Sequence, residues 1–129
     1  MRGGDGLEIG SGGSIQYPPF ISKVANYTVT ANDAGSTFVA GAADLVFTLP
    51  APSAGLRYRF ICGTLSATTG LSVSPGAADK IIGNGFTAVD DKDAINTAAT
   101  DRLGDMLEVE SDGSDWYITG VIGTWARQA

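Results

Sequence analysis

The sequence predicts an all-β protein, a small antiparallel β-barrel or β-sandwich with an extended N-terminal arm. From position 27 onward, about eight short runs rich in β-branched and aromatic residues recur at intervals of roughly ten residues, with Gly, Pro, Asn or Asp between them. Strand-like and helix-like segments do not alternate, which disfavours a parallel α/β fold. We therefore assign residues 1–26 to the arm and residues 27–129 to the β domain.

The predicted arm is rich in glycine and contains the adjacent prolines Pro18 and Pro19. Glycine raises the entropic cost of ordering the backbone, and a proline pair favours an extended chain. The segment is either a floppy terminus or an arm that becomes ordered by lying on another subunit. Its isolated apolar residues favour the second alternative, because a solvated tail has little use for them. The candidate contact residues are Leu7, Ile9, Ile15, Tyr17, Phe20 and Ile21.

The domain begins with a predicted strand at residues 27–31, which is β-branched and aromatic, and residues 32–35 follow as a turn. Residues 56–62 show the clearest alternation of apolar and polar side chains, with Arg57 and Arg59 facing solvent. Residues 84–104 are predicted to form a long loop. The remaining short strands of this part are predicted at residues 37–39, 45–49, 71–74 and 80–83, and the inward-facing residues of the alternating strand are Leu56, Tyr58, Phe60 and Cys62.

The C-terminal part predicts a β-hairpin, in which residues 105–111 and 115–122 flank the turn dipeptide Asp112-Gly113. Leu107 and Val109 are expected to face the core, and Glu108 and Glu110 the solvent.

Two aromatic residues of the second hairpin strand, Trp116 and Tyr117, are adjacent and therefore point to opposite faces of the sheet. One of them belongs to the core. The other is exposed or packs against a partner, since Trp and Tyr are enriched in binding hot spots. Trp125 raises the same question, so all three are candidate interface residues.

The charge balance excludes several classes of partner. Eight Lys and Arg residues against fourteen Asp and Glu residues give a net charge of −6, which repels nucleic-acid phosphates and anionic membrane surfaces. No apolar run approaches the length needed to span a bilayer, and the N-terminus lacks the apolar segment of a signal peptide. We expect no nucleic-acid partner, no membrane partner, and synthesis in the cytoplasm.

The sequence also disfavours catalysis. Histidine is absent, which removes the commonest general base, and the single cysteine, Cys62, lies in an apolar run that indicates a buried position. The acidic cluster at residues 90–93 lacks the Gly and Glu of an EF-hand loop, so a solvated loop is favoured over a weak cation site. Glu108 and Glu110 are expected on a solvent-facing strand surface. We assign no catalytic residue, no cofactor and no metal ligand.

Several segments resemble virion proteins of tailed bacteriophages. They are YTVTANDAGSTFV at residues 27–39, VFTLP at 46–50, GDMLEV at 104–109, SDGSDWYI at 111–118 and GTW at 123–125. In this order they are similar to small capsid decoration (cement) proteins and to β modules of phage fibres, whereas residues 84–104 depart from the pattern. The resemblance implies a β-barrel or sandwich that forms a homotrimer on the outside of a phage head and clamps capsomers of the major capsid protein.

Two function hypotheses follow. The first is a capsid decoration protein, made in the host cytoplasm and located on the head surface of the virion, whose arm adds buried area between subunits. The alternative is a tail-fibre or baseplate receptor-binding β module, in which exposed aromatic residues and the acidic loop would recognise a sugar or a cation. An enzyme is the least favoured reading.

Overall fold

The computed structural model describes residues 18–129 and shows an all-β protein. The predicted contact residues Leu7, Ile9, Ile15 and Tyr17 lie outside the described residues. The strands are β1 (Phe20–Lys23), β2 (Tyr27–Thr28), β3 (Thr37–Ala40), β4 (Val46–Thr48), β5 (Arg57–Cys62), β6 (Gly70–Ser74), β7 (Ile81–Ile82), β8 (Ala94–Thr97), β9 (Met106–Ser111), β10 (Trp116–Ile122) and β11 (Ala126–Arg127), with one 3₁₀ turn at Ala31–Asp33.

The strands form two sheets that pack face to face. One has six strands in the order β1-β3-β5-β9-β10-β7, and the other has five in the order β11-β8-β6-β4-β2. The buried side chains of both sheets form a single apolar cluster between them. The predicted all-β class, a barrel or a sandwich, is therefore confirmed. Among the residues that the structure describes, no helix is long and apolar enough to cross a membrane.

The prediction that the sheets are antiparallel is wrong for about half of the structure. Five of the nine strand pairings in the described chain are parallel: β1–β3, β3–β5, β2–β4, β4–β6 and β7–β10. The reason is that from β1 to β6 each connection carries the chain across to the opposite sheet. The turns between these strands cross from one layer to the other, so the next strand in the same sheet runs in the same direction as the last.

Aromatic side chains connect the two layers. Phe38 on β3 and Phe60 on β5 are paired in register, and their ring centroids lie 5.8 Å apart in a stacked arrangement. Phe47 of the opposite sheet lies 5.6 Å from Phe38 and 5.2 Å from Phe60. Such ring pairs contribute about 0.5–1.5 kcal/mol each beyond the burial of their area. Tyr58, Phe60 and Cys62 are buried, as the alternation in their strand predicted.

Part of the segment predicted as the N-terminal arm is a strand of the six-stranded sheet. Residues 20–23, which were assigned to the arm, form β1 at the edge of the six-stranded sheet, parallel to β3. Ile21 packs against the core, and the Thr37 N–H donates to the Pro19 carbonyl at 2.9 Å. The strand was missed because its partner β3 is parallel to it, and β2 of the other sheet lies between them in the sequence. A pair of this kind has no hairpin turn that the sequence would reveal.

The long loop predicted at residues 84–104 contains a strand, β8, antiparallel to β6. Its pattern was obscured because one inward-facing residue, Asn96, is polar and fully buried. The Asn96 side-chain amide donates to Asp105 Oδ2 at 3.0 Å and to the Thr124 carbonyl at 3.1 Å. These hydrogen bonds offset the cost of burying a polar group. The C-terminal hairpin, in contrast, forms as predicted, with a register irregularity between Ile118 and Gly120.

Candidate interaction surface

Exposed apolar side chains collect at one end of the six-stranded sheet. Because β1, β3 and β5 are parallel and β9 is antiparallel to β5, the carboxyl ends of the first three strands lie beside the amino end of β9. Three loops meet there and carry Val24, Leu65 and Leu103, whose side chains are 73%, 53% and 66% exposed. We call these three residues the apolar end.

The loop that carries Leu65 is fixed by the carboxylate of Asp44. This carboxylate accepts hydrogen bonds from the backbone N–H groups of Thr69 at 2.8 Å and Gly70 at 2.9 Å. It also accepts from the backbone and hydroxyl of Thr68, the hydroxyl at 2.9 Å. The backbone N–H of Gly70 is the main cause that lowers the pKa of Asp44 far below its usual range. Such an array of donors stabilises the charged form and holds the loop in one conformation.

A second carboxylate connects the loops of Leu65 and Leu103. The backbone N–H of Ser66 donates to Asp101 Oδ2 at 2.8 Å, and the N–H of Gly104 donates to the Cys62 carbonyl at 2.9 Å. Leu65 and Leu103 are therefore presented by loops that are held by hydrogen bonds. Preorganisation of this kind reduces the entropy that is lost when a partner binds.

The outer face of the six-stranded sheet carries a second apolar feature, which we call the apolar row. The strand registers place Val39, Ile61, Met106 and Ile122 side by side on four neighbouring strands, β3, β5, β9 and β10. The first three are half-buried, and Ile122 is 56% exposed. Alternation along each strand directs these side chains away from the core, so the row faces outward.

Ion pairs flank the apolar row on the same face. Arg57 Nη2 lies 2.7 Å from Glu110 Oε2, and Arg59 Nη2 lies 3.0 Å from Glu108 Oε2. Partial burial of Glu108 opposes its ionisation, but hydrogen bonds from Arg59 and Thr119 outweigh this and lower the pKa of Glu108. These two ion pairs contain two cations and two anions, so together they carry no net charge.

Carboxylates dominate the opposite end of the sandwich. Lys80 directly precedes β7. The Trp116 N–H donates to the Lys80 carbonyl at 2.9 Å, so Lys80 lies at the start of β10. Lys80 Nζ pairs with Asp90 at 2.9 Å. Acidic side chains around this point outnumber the cations. We call this group the acidic end; its members are Asp79, Asp90, Asp91, Asp112 and Asp115.

The predicted aromatic interface is only partly at the surface. Trp116 is fully buried with its ring 5.7 Å from Tyr58, and Trp125 is 5% exposed and donates from Nε1 to the Ile122 carbonyl. Both are core residues, so their assignment as contact residues is wrong. Tyr117 is 39% exposed.

Among the N-terminal candidates, Phe20 is 70% exposed at the edge of the sheet, while Ile21 is half-buried against the core.

A groove of about 450 Å³ lies where the chain enters β1, and both arginines of the outer face contribute to it. Their guanidinium groups already pair with Glu108 and Glu110, so neither offers an uncompensated charge to a ligand. The lining includes Pro18, Pro19, Thr37, Arg57, Arg59 and Glu108.

The residues that the sequence offers for chemistry, none of which is assigned a chemical role, occupy structural positions. Cys62 is buried, and this burial raises the pKa of its thiol. Glu108 and Glu110 form the ion pairs of the outer face. Within residues 18–129, no group of three or more Cys, Asp or Glu side chains is arranged to hold a metal ion.

Sequence reasoning missed the apolar end. Val24, Leu65 and Leu103 are single large apolar residues inside turn segments, and this was the available signal. Their convergence depends on which strand ends lie together, a property of the pairing that the sequence did not reveal. No family model matches the chain, and no curated protein matches it.

Proposed function

We propose that this chain is a structural virion protein, a capsid decoration protein that binds the outside of a tailed-phage head through its apolar end. The observation that supports this proposal is that the exposed Val24, Leu65 and Leu103 lie together at one end of the sandwich, whereas exposed carboxylates cluster at the opposite end. A protein that works by attachment needs one adhesive surface and one surface that stays in water. The major capsid protein is the expected partner at the apolar end.

The energetics fit a protein that acts in many copies. Complete burial of a Val or Leu side chain is worth about 1.5–3 kcal/mol. Scaled by their exposed fractions, Val24, Leu65 and Leu103 together offer about 3–6 kcal/mol of transfer free energy per copy, before the costs of association are subtracted. Micromolar affinity requires about 8 kcal/mol. A single copy would bind weakly, and several linked copies would bind firmly through multivalency.

The carboxylates at the apolar end do not oppose this contact. Asp44 and Asp101 accept backbone hydrogen bonds from the loop of Leu65, and Asp105 is buried. The exposed carboxylates at the acidic end would point away from the shell. Their like charge would keep decorated particles apart in solution.

The test measures binding to empty heads of the encoding phage that were assembled without this protein. After sedimentation through a gradient, wild-type protein is expected to travel with the heads and to reach saturation at a fixed number of copies. The triple variant Val24→Ser, Leu65→Ser, Leu103→Ser is expected to fold normally and to lose at least about tenfold in affinity. Val89→Ser is the control, because Val89 is 37% exposed and adjoins Asp90 of the acidic end.

Wild-type protein that stays at the top of the gradient at every concentration would overturn the proposal. If the same protein instead binds host cells, and does so through exposed groups of the outer face, the receptor-binding alternative replaces it. Equal binding by wild type and the triple variant would show that another surface makes the contact and would overturn the assignment of the apolar end.

A further inference from the structure

We infer that the apolar row, together with the outer face of the six-stranded sheet around it, binds a second copy of this chain. The inference rests on the proposed function and deepens it by naming the surface through which copies join. The row consists of Val39, Ile61, Met106 and Ile122, as defined above, and is distinct from the apolar end.

The geometry allows both surfaces to be used at once. The apolar end faces along the strand direction, whereas the apolar row faces along the normal to the sheet. A copy that stands on a shell with its apolar end therefore still presents its outer sheet face sideways. That is where a neighbouring copy on the same surface would lie.

Charge favours a second copy as the occupant. The whole chain carries a net charge of −6, so two copies repel each other through most of their surfaces. On the outer face, however, Arg59 is paired with Glu108 and Arg57 with Glu110, and the row itself is uncharged. Two copies can meet there without bringing unpaired carboxylates together. Alternating cations and anions also allow a facing copy to place opposite charges against each other, as a self-complementary contact requires.

The area of the face reaches what a specific contact needs. Six strands spaced about 4.8 Å apart measure about 24 Å across, and a six-residue strand is about 20 Å long. The face therefore measures about 480 Å² in projection, and two facing copies cover about 1,000 Å² in total. This value lies at the lower limit for specific interfaces. An apolar centre with ion pairs beside it is the usual composition of such a contact.

The experiment determines the mass of the full chain by sedimentation velocity over a range of concentrations. Wild-type protein is expected to associate into a defined oligomer at concentrations up to about 100 µM. Ile122→Asp is expected to raise the dissociation constant by at least about tenfold, because a carboxylate would be buried without a partner. Met106→Gln, which is close in size to the original residue, is expected to shift the equilibrium in the same direction. Val89→Asp adds the same charge as Ile122→Asp on a loop away from the row, and it is expected to associate like wild type.

Circular dichroism and the fluorescence of buried Trp116 show whether each variant is folded, so loss of association is separable from loss of structure. A wild-type chain that sediments as a monomer throughout would overturn the inference, as would both row variants associating like wild type. Head binding by a monomeric wild-type chain would sink this inference and leave the proposed function standing. If the wild-type chain associates but does not bind heads, the proposed function is overturned and the self-association stands.

Discussion

Replacing Phe38 with alanine removes the side chain that connects the two sheets most directly. Phe38 is fully buried on β3 of the six-stranded sheet. Its ring centroid lies 5.4 Å from that of Tyr27 and 5.6 Å from that of Phe47, both in the opposite sheet. A third ring, Phe60 of the neighbouring strand, lies 5.8 Å away. The variant therefore loses contacts within its own sheet and across the sandwich.

The expected cost follows from these contacts. Truncation of a buried Phe to Ala destabilises a protein by about 3–5 kcal/mol. Three ring pairs, each worth about 0.5–1.5 kcal/mol beyond burial, place Phe38→Ala in the upper half of that range. In a domain of this size, 1 kcal/mol corresponds to about 4 °C in Tm, so we expect Tm to fall by about 15–20 °C.

Urea unfolding at pH 7, followed through the fluorescence of the buried Trp116 and Trp125, measures the loss. Phe20→Ala is the matched control, because Phe20 lies on the adjacent strand β1 but is 70% exposed. Its substitution should change the free energy of unfolding by less than about 0.5 kcal/mol. If Phe38→Ala costs no more than the control, the aromatic cluster is not what joins the sheets and the packing argument fails.

Two further predictions concern loops. Gly123→Ala should lower the urea midpoint more than Gly35→Ala. The two glycines have φ of +89° and +86°, so both variants carry the strain of a left-handed backbone. Only a Cβ at position 123 collides with the buried Asp105 carboxylate, which adds to the cost of that variant. Equal midpoints for the two variants would show that the contact with Asp105 adds no cost. Asp44→Asn should lower the midpoint at pH 7, and the gap to wild type should narrow below about pH 4. The sign follows because the folded pKa of Asp44 is lowered, so its stabilisation is present above the ordinary value near 3.9 and is lost as pH falls towards the folded value. A gap that does not change with pH would contradict this assignment.

Local sequence patterns predicted the parts of the fold that local interactions decide. Residues 56–62 alternate with period two, and the structure places Tyr58 and Phe60 inside and Arg57 and Arg59 outside. The C-terminal hairpin was predictable because its turn residues lie between two alternating strands. Leu107 and Val109 are buried there as expected.

Pairing between distant strands was not predictable in the same way. In the parallel pair of β1 and β3, the two strands are separated in the sequence by β2 of the other sheet. Strand β1 therefore has no adjacent partner in the sequence and was assigned to the arm. Strand β8 was missed because Asn96 breaks its apolar pattern, and the hydrogen bond from Asn96 to Asp105 that makes its burial acceptable comes from another part of the chain.

The candidate surface was predictable only in part. Adjacent positions on a strand show that Trp116 and Tyr117 face opposite ways, but not which of them faces the core. Phe20 and Tyr117 are exposed, and their role as contact residues stays a prediction. The apolar end required knowledge of strand direction, and the neutral outer face required the register that brings Arg59 beside Glu108.

The position of the C-terminal hairpin within the sheet has a consequence for biosynthesis. Strands β9 and β10 lie between β5 and β7, so these two strands, which are made after β5 and β7, fill the middle of a sheet whose flanking strands were made earlier. Strands β1 to β6 can pair as they emerge, but β5 keeps an open edge until residue 111 has been added. Among the strands of the described chain, β7 has no neighbour in its sheet until residue 117 has been added. An open edge of this kind pairs readily with other chains. A polypeptide released before residues 106–122 have been made would therefore be prone to aggregate.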